Sequence, residues 1–383
     1  VQQGANSSRF LLSTNDKTVK LWKVFEKHVR SLGNFNVAAD ERSSSGARAG
    51  PSGEGASVLL AQPGRARPVF ASAAALRVPQ VLTSESVLAA RCRRAYPNAH
   101  AYHINSVSVN SDCNTFISAD DLRINLWSLE ASSSSFTVVD IKPENMENLT
   151  EVITSAVFHP THCALFAFSS SKGTIRLADM RQRARCDAPA RLFEEAEPPG
   201  ARSFFSEIVA SISDVQFGAG GRYLLARDYL TLKLWDVAME ARPLATFPVH
   251  EGLRSKLCDL YENDAIFDKF ECTMSGDGGH VATGTYGNLF RVFSTRGSGE
   301  AAVEASKDPL RLGGLGAGGE PAWQRTGQRV LRPEGADVAT SGADYGSKLL
   351  HLAWHPQREV VAAAAGNSLY IMRAGAPADV EVG

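Results

Sequence analysis

The sequence lacks most of what would make it an enzyme, a secreted protein or a membrane protein. Its six cysteines stand singly at 92, 113, 163, 186, 258 and 272, and none forms a CxxC pair. No secretory signal precedes them, so reduced thiols in the cytosol or nucleus are expected. No apolar run approaches the ~18–20 residues a membrane span needs. Neither sign of charge is in excess, with 40 Lys and Arg against 41 Asp and Glu. Global charge therefore favours neither nucleic acid nor membrane, and electrostatic recognition must come from local patches. There is no GxSxG elbow, Walker loop, HExxH or GxGxxG after a strand. Gly313–Gly319 is glycine-rich but has no following Lys, and it reads as a linker. His159, His162 and Cys163 are close in sequence, yet His159–Pro160 reads as a turn and no second ligand pair has metal spacing. The expectation is a non-enzyme with no metal and no cofactor.

What is present is a repeat. Phe10–Val24 (FLLSTNDKTVKLWKV), Phe116–Leu129 (FISADDLRINLWSL), Phe166–Met180 (FAFSSSKGTIRLADM), Tyr223–Val237 (YLLARDYLTLKLWDV), Val281–Phe293 (VATGTYGNLFRVF) and Val360–Met372 (VVAAAAGNSLYIM) align by eye. Each has a small-residue strand, a short polar or Gly turn, then an alternating strand with an apolar end, which is the period-two signal. Most are preceded by another strand and tight turn: Ala156–Pro160, Val215–Gly221 and Leu352–Pro356. Trp22, Trp127 and Trp235 recur at one repeat position and are expected in the core. The fold class is all-β, a WD40-type β-propeller. The chain opens at Val1 and its first repeat shows only its end. A seven-bladed ring lacking its first blade and part of its second is therefore expected.

The long gaps between repeats read as surface excursions from this single propeller domain. Residues 43–57 are Ser/Gly/Ala-rich and expected to be disordered, and residues 297–343 read as a mobile insert. Residues 76–93 are apolar at Leu76, Val78, Val81, Leu82, Val87 and Leu88, and read as a hairpin projecting from the second blade. Residues 144–153 suggest a short helix, with Pro143 near its start and acids early in it.

Asn98–Asp112 (NAHAYHINSVSVNSD) strongly resembles a signature of the B-family regulatory subunits of protein phosphatase 2A. Phe10–Lys23, Asp140–Ile153, Ser169–Leu177, Leu192–Glu195 (LFEE), Arg202–Val215 (RSFFSEIVASISDV), Arg254–Cys272 (RSKLCDLYENDAIFDKFEC) and His351–Pro356 are also similar to that family, in its order. Residues 26–75 do not match, and 300–345 match loosely. The resemblance implies a non-catalytic subunit in a trimer with a HEAT-repeat scaffold and a metal-dependent Ser/Thr phosphatase. The metals would belong to the catalytic subunit. The family's second-blade hairpin grips the scaffold, which points to Leu82, Val87 and Leu88 as contacts.

The resemblance further implies an acidic groove that selects phosphoproteins with basic residues near the phosphosite. Its candidates are Glu194, Glu195, Glu197, Glu207, Asp120, Asp121, Tyr345 and above all Asp214. A structural role competes at Asp120–Asp121, where many propellers place an Asp that hydrogen-bonds a turn, and a solvated face competes at Glu194–Glu197. The alternative function is a generic propeller adaptor, such as a ubiquitin-ligase substrate receptor or signalling scaffold. It would have no reason to carry the 98–112 signature, RSFFSEI or YENDAIFDKFEC.

Overall fold

The computed structural model describes residues 2–3, 9–33, 80–186, 188–195, 203–297, 299–305, 330–331 and 345–373. They form six antiparallel sheets, the blades of an all-β propeller. The second, Ser106–Val109, Thr115–Ala119, Arg123–Ser128 and Ser135–Asp140, runs in chain order. The third (Ile153–Phe158, Leu165–Ser170, Ile175–Asp179, Arg191–Phe193) and the fourth (Asp214–Phe217, Tyr223–Arg227, Thr231–Asp236, Ala245–Pro248) repeat this pattern. The fifth runs Cys272–Met274, His280–Gly284, Leu289–Ser294, Glu300–Glu304 and Val330–Leu331, and the sixth runs His351–Trp354, Val360–Ala365 and Ser368–Arg373.

The period-two pattern explains the core. In the second sheet Phe116 faces Trp127 across the strands, and Phe116, Ile117, Ile124 and Trp127 are all buried. Trp127 Nε1–H donates to Ser118 Oγ at 2.8 Å, and His100 contacts Ser118 Oγ at 2.6 Å and the Asp120 carboxylate at 2.9 Å. A carboxylate only accepts, so Nδ1 of His100 is the donor and Nε2 takes the serine proton. One tetrad thus ties the third strand, the second strand, a turn and the entering chain together.

Successive blades are joined at their inner strands by side chains that accept from the next strand's backbone. Ser106 and Ser108 take the N–H groups of Ala156 and Phe158, each at 2.9 Å. Glu271 takes Leu352 N–H and Thr273 takes Trp354 N–H. His159 is buried as a tie of the opposite sense: its Nε2–H donates to Gly221 O of the next blade at 3.1 Å, and its Nδ1 accepts from Thr161 and His162 N–H of its own turn. Gly221 has φ +74°, and a Cβ there would lie 2.1 Å from the imidazole, so glycine is required. Both ring nitrogens of His159 are thereby occupied, and no metal-binding group occurs among the described residues.

Four expectations are corrected. The first visible repeat forms a four-stranded sheet, Gln2–Gln3, Arg9–Asn15, Thr18–Gly33 and Gln80–Tyr96, so its early strands are present in shortened form. Residues 80–96 are one strand paired with Thr18–Gly33, not a hairpin within 76–93: no Gly, Pro or Asn interrupts Gln80–Tyr96 to turn the chain back. The outer stretches of these two strands, 23–33 and 80–91, fall with Gln3 and residues 9–11 in a compact unit separate from the one holding residues 12–22 and the described residues from 92 onward. The expected helix at 144–153 is a single 3₁₀ turn, Met146–Asn148, capped by the Asn145 side chain on Glu147 N–H. Glu300–Glu304 pairs with Leu289–Ser294 and with Val330–Leu331, so these parts of the insert expected over 297–343 are strands, and residues 306–329 and 332–344 lie outside the described residues. The insert at 43–57 lies outside the described residues.

Candidate docking end of the propeller

In an antiparallel meander the start of the first strand, the turn between the second and third, and the end of the fourth share one end of the blade. The long excursions between blades emerge at this end. Two carry helices, α1 (Phe204–Ala210) and α2 (Leu257–Glu262), the latter followed by a 3₁₀ turn at Ala265–Phe267. A capping box starts α1: Ser203 Oγ accepts Ser206 N–H at 3.2 Å and Ser206 Oγ accepts Ser203 N–H at 2.9 Å.

Phe205, Ile208 and Val209 of α1 pack with Leu257 and Leu260 of α2 around Tyr229, Phe270 and Tyr286. That small core uses up one side of each helix and leaves large aromatics outside. Phe204 is 64% exposed, Phe267 53% and Tyr261 40%. Their rings touch: Phe204–Tyr261 centroids are 5.5 Å apart, Phe205–Tyr261 6.1 Å and Tyr261–Phe267 5.8 Å. Exposed Glu207, Asp259, Glu262 and Asp264 flank the aromatic cluster in sequence. Sequence reasoning selected both motifs but missed this cluster. The available signal was two adjacent phenylalanines on a seven-residue helix, of which only one can turn inward.

The expected groove residues separate into two groups. Asp121 is half-buried and Glu194 and Glu207 are exposed, all at this end. Glu195 is also exposed, but Lys233 Nζ lies 2.5 Å from its carboxylate and 3.1 Å from that of Asp228. Tyr345 packs edge-on against Tyr286 at 5.2 Å. Glu197 lies outside the described residues. Asp120 is fully buried, held by His100 and by the N–H groups of Leu122 and Arg123 at 2.9 and 2.7 Å. Its carboxyl is under opposing influences: burial raises its pKa, and these hydrogen bonds bring it below the usual aspartate value.

Asp214, expected at the groove, is only 8% exposed. Its Oδ1 accepts from Ser155 Oγ at 3.1 Å and Val215 N–H at 2.8 Å, and its Oδ2 from Cys272 N–H at 3.0 Å. Burial pushes its pKa up to about 6, despite the Cys272 and Ser155 hydrogen bonds, and nearby Glu271 adds to the rise. The folded chain therefore holds a proton there that the unfolded chain has lost between about pH 4 and 6. Stability conferred by this group falls as pH rises through that window. Relative to wild type, Asp214→Asn is expected to gain stability between pH 4 and 7, read from urea unfolding at each pH. A difference independent of pH would contradict this.

Comparison with known proteins places these observations. The WD40 repeat family (WD domain, G-beta repeat) matches residues 91–128. The chain is 53% identical to the B-beta isoform of the serine/threonine protein phosphatase 2A 55 kDa regulatory subunit from Arabidopsis thaliana, covering 96% of this chain and 75% of that one. It is 54% identical to the corresponding B-alpha isoform from Oryza sativa subsp. japonica, over 96% and 66%. It is 49% identical to the B-type regulatory subunit of protein phosphatase PP2A from Schizosaccharomyces pombe, over 96% and 77%.

Proposed function

The chain belongs to the 55 kDa B-type regulatory subunits of protein phosphatase 2A, regulators and not catalysts, and from that premise we propose that it recruits phospho-Ser/Thr proteins to the phosphatase through the end that carries α1 and α2. The observation that supports this most is the exposed aromatic cluster of Phe204, Tyr261 and Phe267, set among acids. Aromatic rings offer apolar anchorage, and the carboxylates of Glu194, Glu207 and Asp121 attract Lys and Arg near a phosphosite. The contribution to rate is proximity and orientation of the phosphorylated residue at a partner's active site. In this reading the chain binds the HEAT-repeat scaffold and the catalytic subunit, uses the paired strands 23–33 and 80–91 for the scaffold, and acts in the cytoplasm and nucleus. Seven blades in the intact ring are part of the same proposal.

The test is binding of a labelled phosphothreonine peptide flanked by arginines. Glu194→Lys with Glu207→Lys is expected to weaken it about three- to tenfold at low ionic strength, with the difference shrinking as salt screens the charges. Equal affinity of the double variant and wild type at low salt would remove these acids from the surface that recognises basic substrates.

A further inference from the structure

We propose that Ser213 and Asp214 form a buckle that fastens the two substrate-facing excursions to each other, so that Asp214 acts as a positioning residue beneath the docking surface and not as a contact for basic substrates. This rests on the docking reading above. The chain leaving α1 descends through Ser211 and Ile212 into Ser213–Asp214, and the chain leaving α2 descends through Asp268 into Phe270–Cys272. Ser213 Oγ–H donates to Phe270 O at 2.6 Å, with Arg227 O a more distant second acceptor at 3.1 Å, and Asp214 Oδ2 accepts Cys272 N–H at 3.0 Å. Two adjacent residues thus grip the end of the other excursion at two points. The third neighbour is Ser155 on the preceding blade, 3.1 Å from Asp214 Oδ1. Higher up, Tyr229 N–H donates to Val209 O at 3.2 Å, joining α1 to the fourth blade. Phe204 and Phe205 sit on one excursion and Tyr261 and Phe267 on the other, so the aromatic cluster exists only while the two are held in register. Both carboxylate oxygens of Asp214 already have partners, and the residue is buried. Neither its position nor its hydrogen bonding suits it to meet a ligand.

Asparagine separates the two roles. Its amide oxygen can still take Cys272 N–H and its NH₂ can donate to Ser155 Oγ, so the tie to the other excursion is kept while the charge, and the bond that Oδ1 accepts from Val215 N–H within the same strand, are lost. The experiment measures binding of the arginine-flanked phosphothreonine peptide across ionic strength, with hydrogen exchange at 204–210 and 257–267, for Asp214→Asn, Asp214→Ala and Ser213→Ala. Asp214→Asn is expected within about twofold of wild type with the same salt dependence, because no ligand-facing charge is removed. Asp214→Ala and Ser213→Ala are expected to lose about tenfold or more, a 1.4 kcal/mol change, with faster exchange in both excursions together and unchanged exchange in Thr115–Ala119 of the second blade. Ser213→Ala keeps the proposal testable if Asp214→Ala does not fold. The buckle is overturned if Asp214→Asn loses as much affinity as Asp214→Ala with exchange unchanged, or if neither alanine variant alters exchange. A wild-type chain that binds no such peptide would sink the docking reading instead, and the exchange data alone would then decide whether the buckle exists.

Discussion

Replacing Leu82 and Leu88 with glutamate is expected to abolish association with the phosphatase scaffold, a loss of at least about a hundredfold, while the chain stays folded. The two side chains are 66% and 75% exposed, so nothing in the folded chain depends on burying them. Side chains alternate along a strand, which puts Leu82 and Leu88 on one face and Val81 and Val87 on the other. Ser31 and Thr83 hydroxyls meet at 2.6 Å, and Ser86 donates to Glu26 at 2.7 Å, which fixes which residues of the paired strand share each face. Burying a leucine at an interface is worth roughly 1.5–3 kcal/mol, and a buried carboxylate without a partner reverses that gain. Val81→Glu with Val87→Glu probes the opposite face. Equal binding of wild type and the leucine double variant in a scaffold pull-down would show that this face is not the contact.

Asp120→Ala is expected to cost about 3–5 kcal/mol in unfolding free energy, because it strands a buried imidazole, the buried N–H of Leu122 and the half-buried N–H of Arg123. The carboxylate accepts from His100, Leu122 N–H and Arg123 N–H together, and the residue is fully buried. The sign with pH is opposite to that of Asp214. A carboxyl lowered in the folded state adds stability above the unfolded aspartate pKa, and that stability is lost as pH falls through the folded value. Urea unfolding at pH 7 measures the cost, and a loss within about 0.5 kcal/mol, as at ordinary surface sites, would mean that the tetrad does not hold the blade. The fourth blade shows the alternative: Ala226 stands where the second blade has Ser118, and Trp235 Nε1 is buried without a partner among the described residues.

The blades were legible because each repeat end alternates strictly and closes on an apolar residue. The long paired strands were half legible. Residues 80–88 show apolar pairs, Val81–Leu82 and Val87–Leu88, and no alternation, and Glu26, Lys27, His28 and Arg30 hide the pairing partner, since a strand exposed on both faces has no apolar period to read. The docking end was legible as motifs and not as surface. Glu194 and Glu207 are charges in solvent, as expected, while Asp120 and Asp214 are charges in the core. What buries Asp214 lies 58 and 59 residues away, at Cys272 and Ser155. A one-dimensional pattern carries no sign of partners contributed by neighbouring blades.

The central claim is assembly, and size-exclusion chromatography of the chain with purified phosphatase 2A scaffold and catalytic subunits tests it most directly. Co-elution of all three in one peak is the predicted result. A chain shown by circular dichroism to be folded, yet eluting alone, would contradict it.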